Sequence, residues 1–153
     1  MDGTDWRMKL VARYKSAFET GDLRDIEKIL GPNFHELVER DEISRIAQLD
    51  RLKLMIDSSR SRTVHFSSFT EESGDLLTDC VLDFQVDNDA WTISVRMRFR
   101  FDDGLIDHIK VWEALDLFAS FYQKSVNWRA LLEKMELEEK LDAPVSKLSG
   151  GQK

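Results

Sequence analysis

Two side chains in the first forty residues have the type and setting for acid–base chemistry. Tyr14 lies on an apolar stripe with Leu10, Val11, Ala17 and Phe18. A phenol there either fills a core, with its hydroxyl on a carbonyl or water, or turns a proton donor into a pocket, and the two are compatible. Glu36 shares a face with Phe34 and Val38 in a short extended segment. It is an inward carboxylate if that face is dry, and a solvated rim residue if it is not. A second carboxylate, Glu113, ends an alternating run that starts at Leu105. Desolvation drives a carboxyl towards its neutral form, and two carboxyls in one cavity push their pKa values apart. Such a pair suits proton transfer on a carbonyl or enol.

Other groups are less suited. His65 falls on the polar side of its strand and His35 alternates away from Glu36. Three scattered histidines without a cysteine or carboxylate cluster predict no metal site. Residues 148–152 spell LSGGQ, the signature run of ATP-binding-cassette transporters, where it opens a helix whose amides face phosphates. Only two residues follow Gly151, and none of the seven glycines lies in a G-x-x-x-x-G-K-[S/T] frame. Nucleotide binding is therefore not expected, and residues 143–153 read as a polar, disordered tail.

The elements that must position these groups follow from periodicity. The Tyr14 stripe is a helix stopped by Gly21, and Asp22 caps a short second helix carrying Leu23, Ile26 and Leu30 up to Gly31-Pro32. A third helix is predicted from near Asp41, with Ile43, Ile46, Leu49 and Ile56 on its apolar side. From Arg62 the period becomes two: Val64 and Phe66, then Thr78, Cys80, Leu82, Phe84 and Val86, then Trp91, Ile93, Val95, Met97, Phe99 and Phe101. The interleaved Thr92, Ser94, Arg96, Arg98 and Arg100 form a wet face. A two-residue loop at Asn88-Asp89 pairs Val86 with Trp91 and Cys80 with Met97, so that every pair is apolar. A three-residue loop at Ser73-Gly74-Asp75 sets Phe66 against Leu82, and Asp103-Gly104 turns the last hairpin. The arginines are expected to pair with Asp79, Asp83 and Asp107, or to meet a dimer partner. Helices are predicted over residues 115–123 and from Asn127 to about Leu141, the latter carrying Trp128, Leu131, Leu132 and Met135 on one stripe. The class is α+β, a curved antiparallel sheet packed against N-terminal helices, with an additional C-terminal helix.

Composition narrows the partners. A chain of 153 residues with 42% hydrophobic content suits one domain with a real core. The net charge of −7 argues against nucleic acid or anionic lipid. No apolar run approaches a membrane span and the N-terminus lacks an apolar signal core, while the single cysteine allows no internal disulfide. A cytoplasmic location is expected.

The segments VARYKSAFETGD and LRDIEKILGPNF, followed by RFDDGLIDHIKVWEALD, resemble the opening and the last hairpin of the nuclear-transport-factor-2-like superfamily, over roughly residues 6–123. That group holds steroid delta-isomerases, SnoaL-like polyketide cyclases, epoxide hydrolases and members that only bind or scaffold. The resemblance implies a cone-shaped sheet around a pocket, and often a dimer through the sheet's outer face. Tyr14 matches the tyrosine of the steroid isomerases. Their base falls at about Val38 and their second donor at Met97, neither of which handles a proton, so that reaction is not expected. The resemblance also turns Ile109, Val111 and Glu113 inward and His108 outward. If the strand has already ended, Glu113 is instead solvated or caps the next helix. The expectation is a single domain over residues 1–142 that binds a small hydrophobic molecule, needs no cofactor and forms a homodimer. Trp91, Met97, Phe99 and Ile109 would wall the cavity, with Tyr14, Glu113 and Glu36 as catalytic groups. An isomerase, cyclase or dehydratase for an apolar carbonyl compound is one reading. A non-catalytic ligand-binding or protein-interaction module is the other.

Overall fold

A computed structural model of the chain describes residues 2–113, 131 and 133–136. The first helix, α1 (Asp2–Thr20), stops at Gly21, whose φ of +80° suits a residue without a Cβ. The Asp22 amide then reaches back to the Ala17 carbonyl at 2.8 Å. Helix α2 (Leu23–Ile29) is capped by Asp22, whose carboxylate accepts from the Asp25 amide. Leu30, read from the sequence as part of this helix, instead opens strand β1 (Leu30–Val38), which turns back through Glu39-Arg40 into β2 (Asp41–Ser44).

This moves the third helix. It starts four residues later than the sequence pattern suggests, as α3 (Arg45–Ser58), with the Ser44 hydroxyl accepting from the Ala47 amide at 3.2 Å. Ile43 belongs to β2, so counting it as the first apolar position sets the helix out of phase. The inward face carries Gln48, Leu52 and Met55, while Ile46 is exposed.

Strands β3 (Ser61–Phe66), β4 (Thr70–Glu72), β5 (Asp75–Val86), β6 (Asp89–Asp102) and β7 (Leu105–Glu113) complete a seven-stranded sheet. Its order is β2-β1-β7-β6-β5-β3, with β4 pairing β5. The meander is antiparallel as expected. One pair, β1 with β7, is parallel, so the sheet is mixed. These two strands are joined by no hairpin, and nothing local dictates their direction.

The two dry faces are those the alternation predicts, but the partners differ. The β5–β6 loop is Asp87-Asn88, with Phe84 opposite Trp91 and Cys80 opposite Val95. The β4–β5 loop is the two-residue Ser73-Gly74, and Phe66 faces Cys80 instead of Leu82. A shift of two positions exchanges neighbours without turning any side chain over. The β6–β7 loop is also two residues long, which alone would turn His108 and Lys110 inward. A bulge at Asp107, between the Phe101–Ile106 and Arg100–His108 pairs, restores the parity. Ile109 and Val111 therefore face the core.

The helices close over the sheet's inner face. Tyr14 stands edge-on to Phe99 and Phe18 edge-on to Phe84. Residues 131 and 133–136 are helical, and Leu131 and Met135, one turn apart, are fully buried. On the outer face Arg96 pairs with Asp79 at 2.7 Å, and Arg98 with Asp75 and Glu72. Asp83 accepts from Thr92 and meets His65 rather than an arginine of the ladder, and Ser94 on that face is buried. Among the described residues no helix is long and apolar enough to cross a membrane. The predicted helix at 115–123, Trp128, Leu132 and residues 143–153 with their LSGGQ run lie outside the described residues.

Candidate functional site

A cavity of about 50 Å³, room for a few water molecules, lies between α1, α3 and the inner face of the sheet. Its walls are mainly apolar: Phe18, Leu52, Met55, Val64, Leu82, Met97 and Val111. Five polar groups join them. Tyr14 and Lys15 come from α1, Glu36 from the middle of β1, and Gln48 and Arg51 from α3.

Glu36 is the unusual member. It is 6% exposed, in β1 between Ile43 of β2 and Ile109 of β7. Burial raises its pKa to about 8, and the Arg51 guanidinium only partly offsets this. At neutral pH the group is therefore mainly a carboxylic acid, a proton donor in an apolar wall. Arg51 in turn is pulled below the usual guanidinium value by its own burial, against the opposing effect of Glu36 and Asp41.

Tyr14 is 8% exposed, and burial pushes its phenol well up, with the charge of Glu36 adding to the rise and the Gln48 amide opposing it. The hydroxyl thus keeps its proton and can only serve as a hydrogen-bonding group. Gln48 is 3% exposed, and its Oε1 has no hydrogen-bond partner among the described residues. A buried acceptor without a donor is uncommon and leaves a place for a ligand O–H or N–H.

The structure brings Tyr14, Glu36 and Met97 to one cavity. Phe99 and Ile109 are fully buried beside it, where Phe99 supports the Tyr14 ring, and neither contributes to its wall. Trp91 lies further along β6 opposite Phe84, half-buried, with its indole N–H unpartnered among the described residues. Glu113 ends β7 opposite Val95, and its side chain lies outside the described residues. Val38, at the position of the steroid isomerases' base, also lines the cavity.

Sequence reasoning missed Gln48 and Arg51. The signal was present, since Gln48, Arg51, Leu52 and Met55 follow the i, i+3, i+4, i+7 spacing. The stripe through Ile43 and Ile46 concealed it. The histidines also differ from the reading as scattered. His35 and His108 occupy paired positions on β1 and β7, with ring centres 4.4 Å apart on the outer face.

No protein-family model matches the sequence, and no curated protein matches it. Solved structures do. A LEH-like epoxide hydrolase of M. tuberculosis superposes with a TM-score of 0.65 at 16% identity, over 78% of this chain and 90% of that one. The epoxide hydrolase/cyclase-like enzyme SalBIII, of pyran ring formation in polyether salinomycin, gives 0.65 at 18%, over 75% and 95%. A protein provisionally assigned as a SnoaL-like polyketide cyclase, from Jannaschia Sp. CCS1, gives 0.61 at 12%, over 80% and 93%. At these identities the likeness is one of fold. The chain has the cone fold of the nuclear-transport-factor-2-like superfamily, as its sequence resemblance implies.

Proposed function

We propose that the cavity binds a small apolar carbonyl compound and moves a proton on it, as an isomerase, cyclase or dehydratase would. The observation that carries this reading is the buried Glu36, neutral near pH 7, sharing an apolar cavity with a phenol, an amide and a guanidinium. Glu36 gives its proton to the substrate oxygen, or to a carbon of its enol. The resulting carboxylate is held by Arg51 and can take a proton back. A carboxyl with a pKa near the working pH serves both directions, because neither form is too scarce. Tyr14 donates to the oxygen on which charge develops, and Gln48 Oε1 accepts from a hydroxyl of the ligand. Glu113, at the end of β7, remains a candidate for a second carboxylate. The structural neighbours include an epoxide hydrolase and an epoxide hydrolase/cyclase-like enzyme, which agrees with a pocket built for oxygen-bearing substrates.

The narrowness of the cavity favours a second reading, a binding module without turnover. A homodimer through the sheet's outer face and a cytoplasmic location belong to both readings.

Deuterium incorporation next to the carbonyl of small cyclic ketones and enones, in heavy water, separates the two. Wild-type protein should accelerate exchange, and Glu36→Gln should lose about 10²-fold or more of that acceleration. Thermal stabilisation by the same compounds without exchange would assign the cavity to binding alone. Neither stabilisation nor exchange across such a series would remove this reading.

A further inference from the structure

On the opposite side of the sheet, three metal-ligating side chains from three neighbouring strands converge. His35 of β1 pairs with His108 of β7, while Glu42 of β2 pairs with Leu37, two residues beyond His35 on the same face. Diagonal neighbours at this spacing reach each other when the side chains are long. One donor atom from each of His35, Glu42 and His108 lies within 4.8 Å of the others.

His35 supplies the sharpest observation. Its Nδ1 faces the Asn33 carbonyl at 3.3 Å, and its Nε2 faces Glu42 Oε1 at 3.2 Å. Both ring nitrogens thus meet acceptors. A neutral imidazole has one N–H and can satisfy only one of them. Two chemical species resolve this: an imidazolium, or a neutral ring donating from Nδ1 with a cation between Nε2 and the carboxylate. The second is a common arrangement for metal-bound histidine, in which the far nitrogen donates to a backbone carbonyl and fixes the tautomer. The 3.2 Å between His35 Nε2 and Glu42 Oε1 also fits. Donors at the 2.0–2.1 Å bonds of a tetrahedral zinc site stand about 3.3 Å apart.

We propose that His35, His108 and Glu42 form a binding site for one divalent transition-metal ion, zinc by preference, on the outer face of the sheet across β2, β1 and β7. Two imidazoles and one carboxylate select a borderline ion such as Zn²⁺ over Mg²⁺ or Ca²⁺, which favour all-oxygen sites. The fourth position falls to water. Arg100, opposite His108 on β6, is the adverse charge, and its Nε lies 3.6 Å from the Asp75 carboxylate, which moderates it. The ion would bind edge strand β2 to the body of the sheet through side chains alone. The proposal is independent of the cavity chemistry, because it uses the other face.

The chain has three histidines, which makes the test direct. Metal-stripped full-length protein, labelled at the imidazole rings, is titrated with Zn²⁺ and followed by NMR. The His35 and His108 signals should respond together and saturate at one ion per chain, while His65, beside Asp83, stays unmoved. Calorimetry should show an affinity that falls at least about tenfold in His35→Gln, and again in a separately made Glu42→Gln. Glu42 is largely and His35 partly solvent-facing, so circular dichroism should show both variants folded. Absence of a saturable response at His35 and His108, an equal response at His65, or an affinity unchanged in both variants would each overturn the site.

Discussion

Arg51 of α3 and the buried carboxyl of Glu36 in β1 line the same cavity and oppose each other's desolvation. Burial pushes Glu36 up and Arg51 down, and the charge of each partly restores the other. The net result for Glu36 is a folded-state pKa of about 8 against an ordinary value of 4.5. Folding therefore favours the protonated form. The stability associated with Glu36 is fully present below pH 4.5 and is lost as the pH rises to about 8. Over that interval the single group lowers stability by about 1.4 kcal/mol per pH unit. Glu36→Gln keeps the shape without the titration. Urea denaturation from pH 5 to pH 9 should show wild type falling below the variant as the pH rises, with the gap levelling off above pH 8. Parallel curves for the two proteins would contradict a neutral Glu36.

Removing the opposing charge gives a second test. Arg51→Met keeps the stem that packs on the cavity wall and deletes the guanidinium. Because Arg51 lowers the Glu36 value, the variant should titrate Glu36 at a higher pH than wild type. Carboxyl ¹³C shifts across a pH series would report it. A downward shift, or none, would show that Arg51 does not act on this carboxyl.

Much of this architecture is visible in the chain because alternation survives errors of register. The run from Trp91 to Phe101 states which side is dry whatever the loop does, so a hairpin displaced by two residues still buries Ile93 and Val95. The bulge at Asp107 carries no such pattern, and only the cost of burying Lys110 points to it. The parallel pairing of β1 with β7 is non-local. It alone brings His35 beside His108 and sets Glu36 against Ile109. Glu36 could be read as an inward candidate from its neighbours Phe34 and Val38, but its degree of burial depends on α3, whose phase was hidden by Ile43.

That phase can be checked by substitution. Ile46 is 73% exposed and Leu52 3%. Ile46→Lys should change stability by no more than about 0.5 kcal/mol, as surface replacements do. Leu52→Ala should cost about 2–5 kcal/mol, since the side chain lines the wall between helix and sheet. Comparable losses for the two would restore the stripe through Ile46 as the inward face.

The dual position of Tyr14 separates packing from chemistry. Its ring lies 6.4 Å from that of Phe99 at 76°, an edge-to-face contact that Tyr14→Phe preserves. The lost hydroxyl is one donor, so this variant should stay within about 1.5 kcal/mol of wild type in urea denaturation. Tyr14→Ala removes the ring as well and should cost about 3–5 kcal/mol, in the range of other buried aromatic truncations. Catalysis should divide the other way. If the phenol donates to the developing negative charge, Tyr14→Phe lowers the exchange rate by about 10²–10³-fold while leaving the fold intact. A Phe variant that exchanges deuterium as fast as wild type would make Tyr14 a wall residue only, leaving the proton chemistry to Glu36 and Arg51.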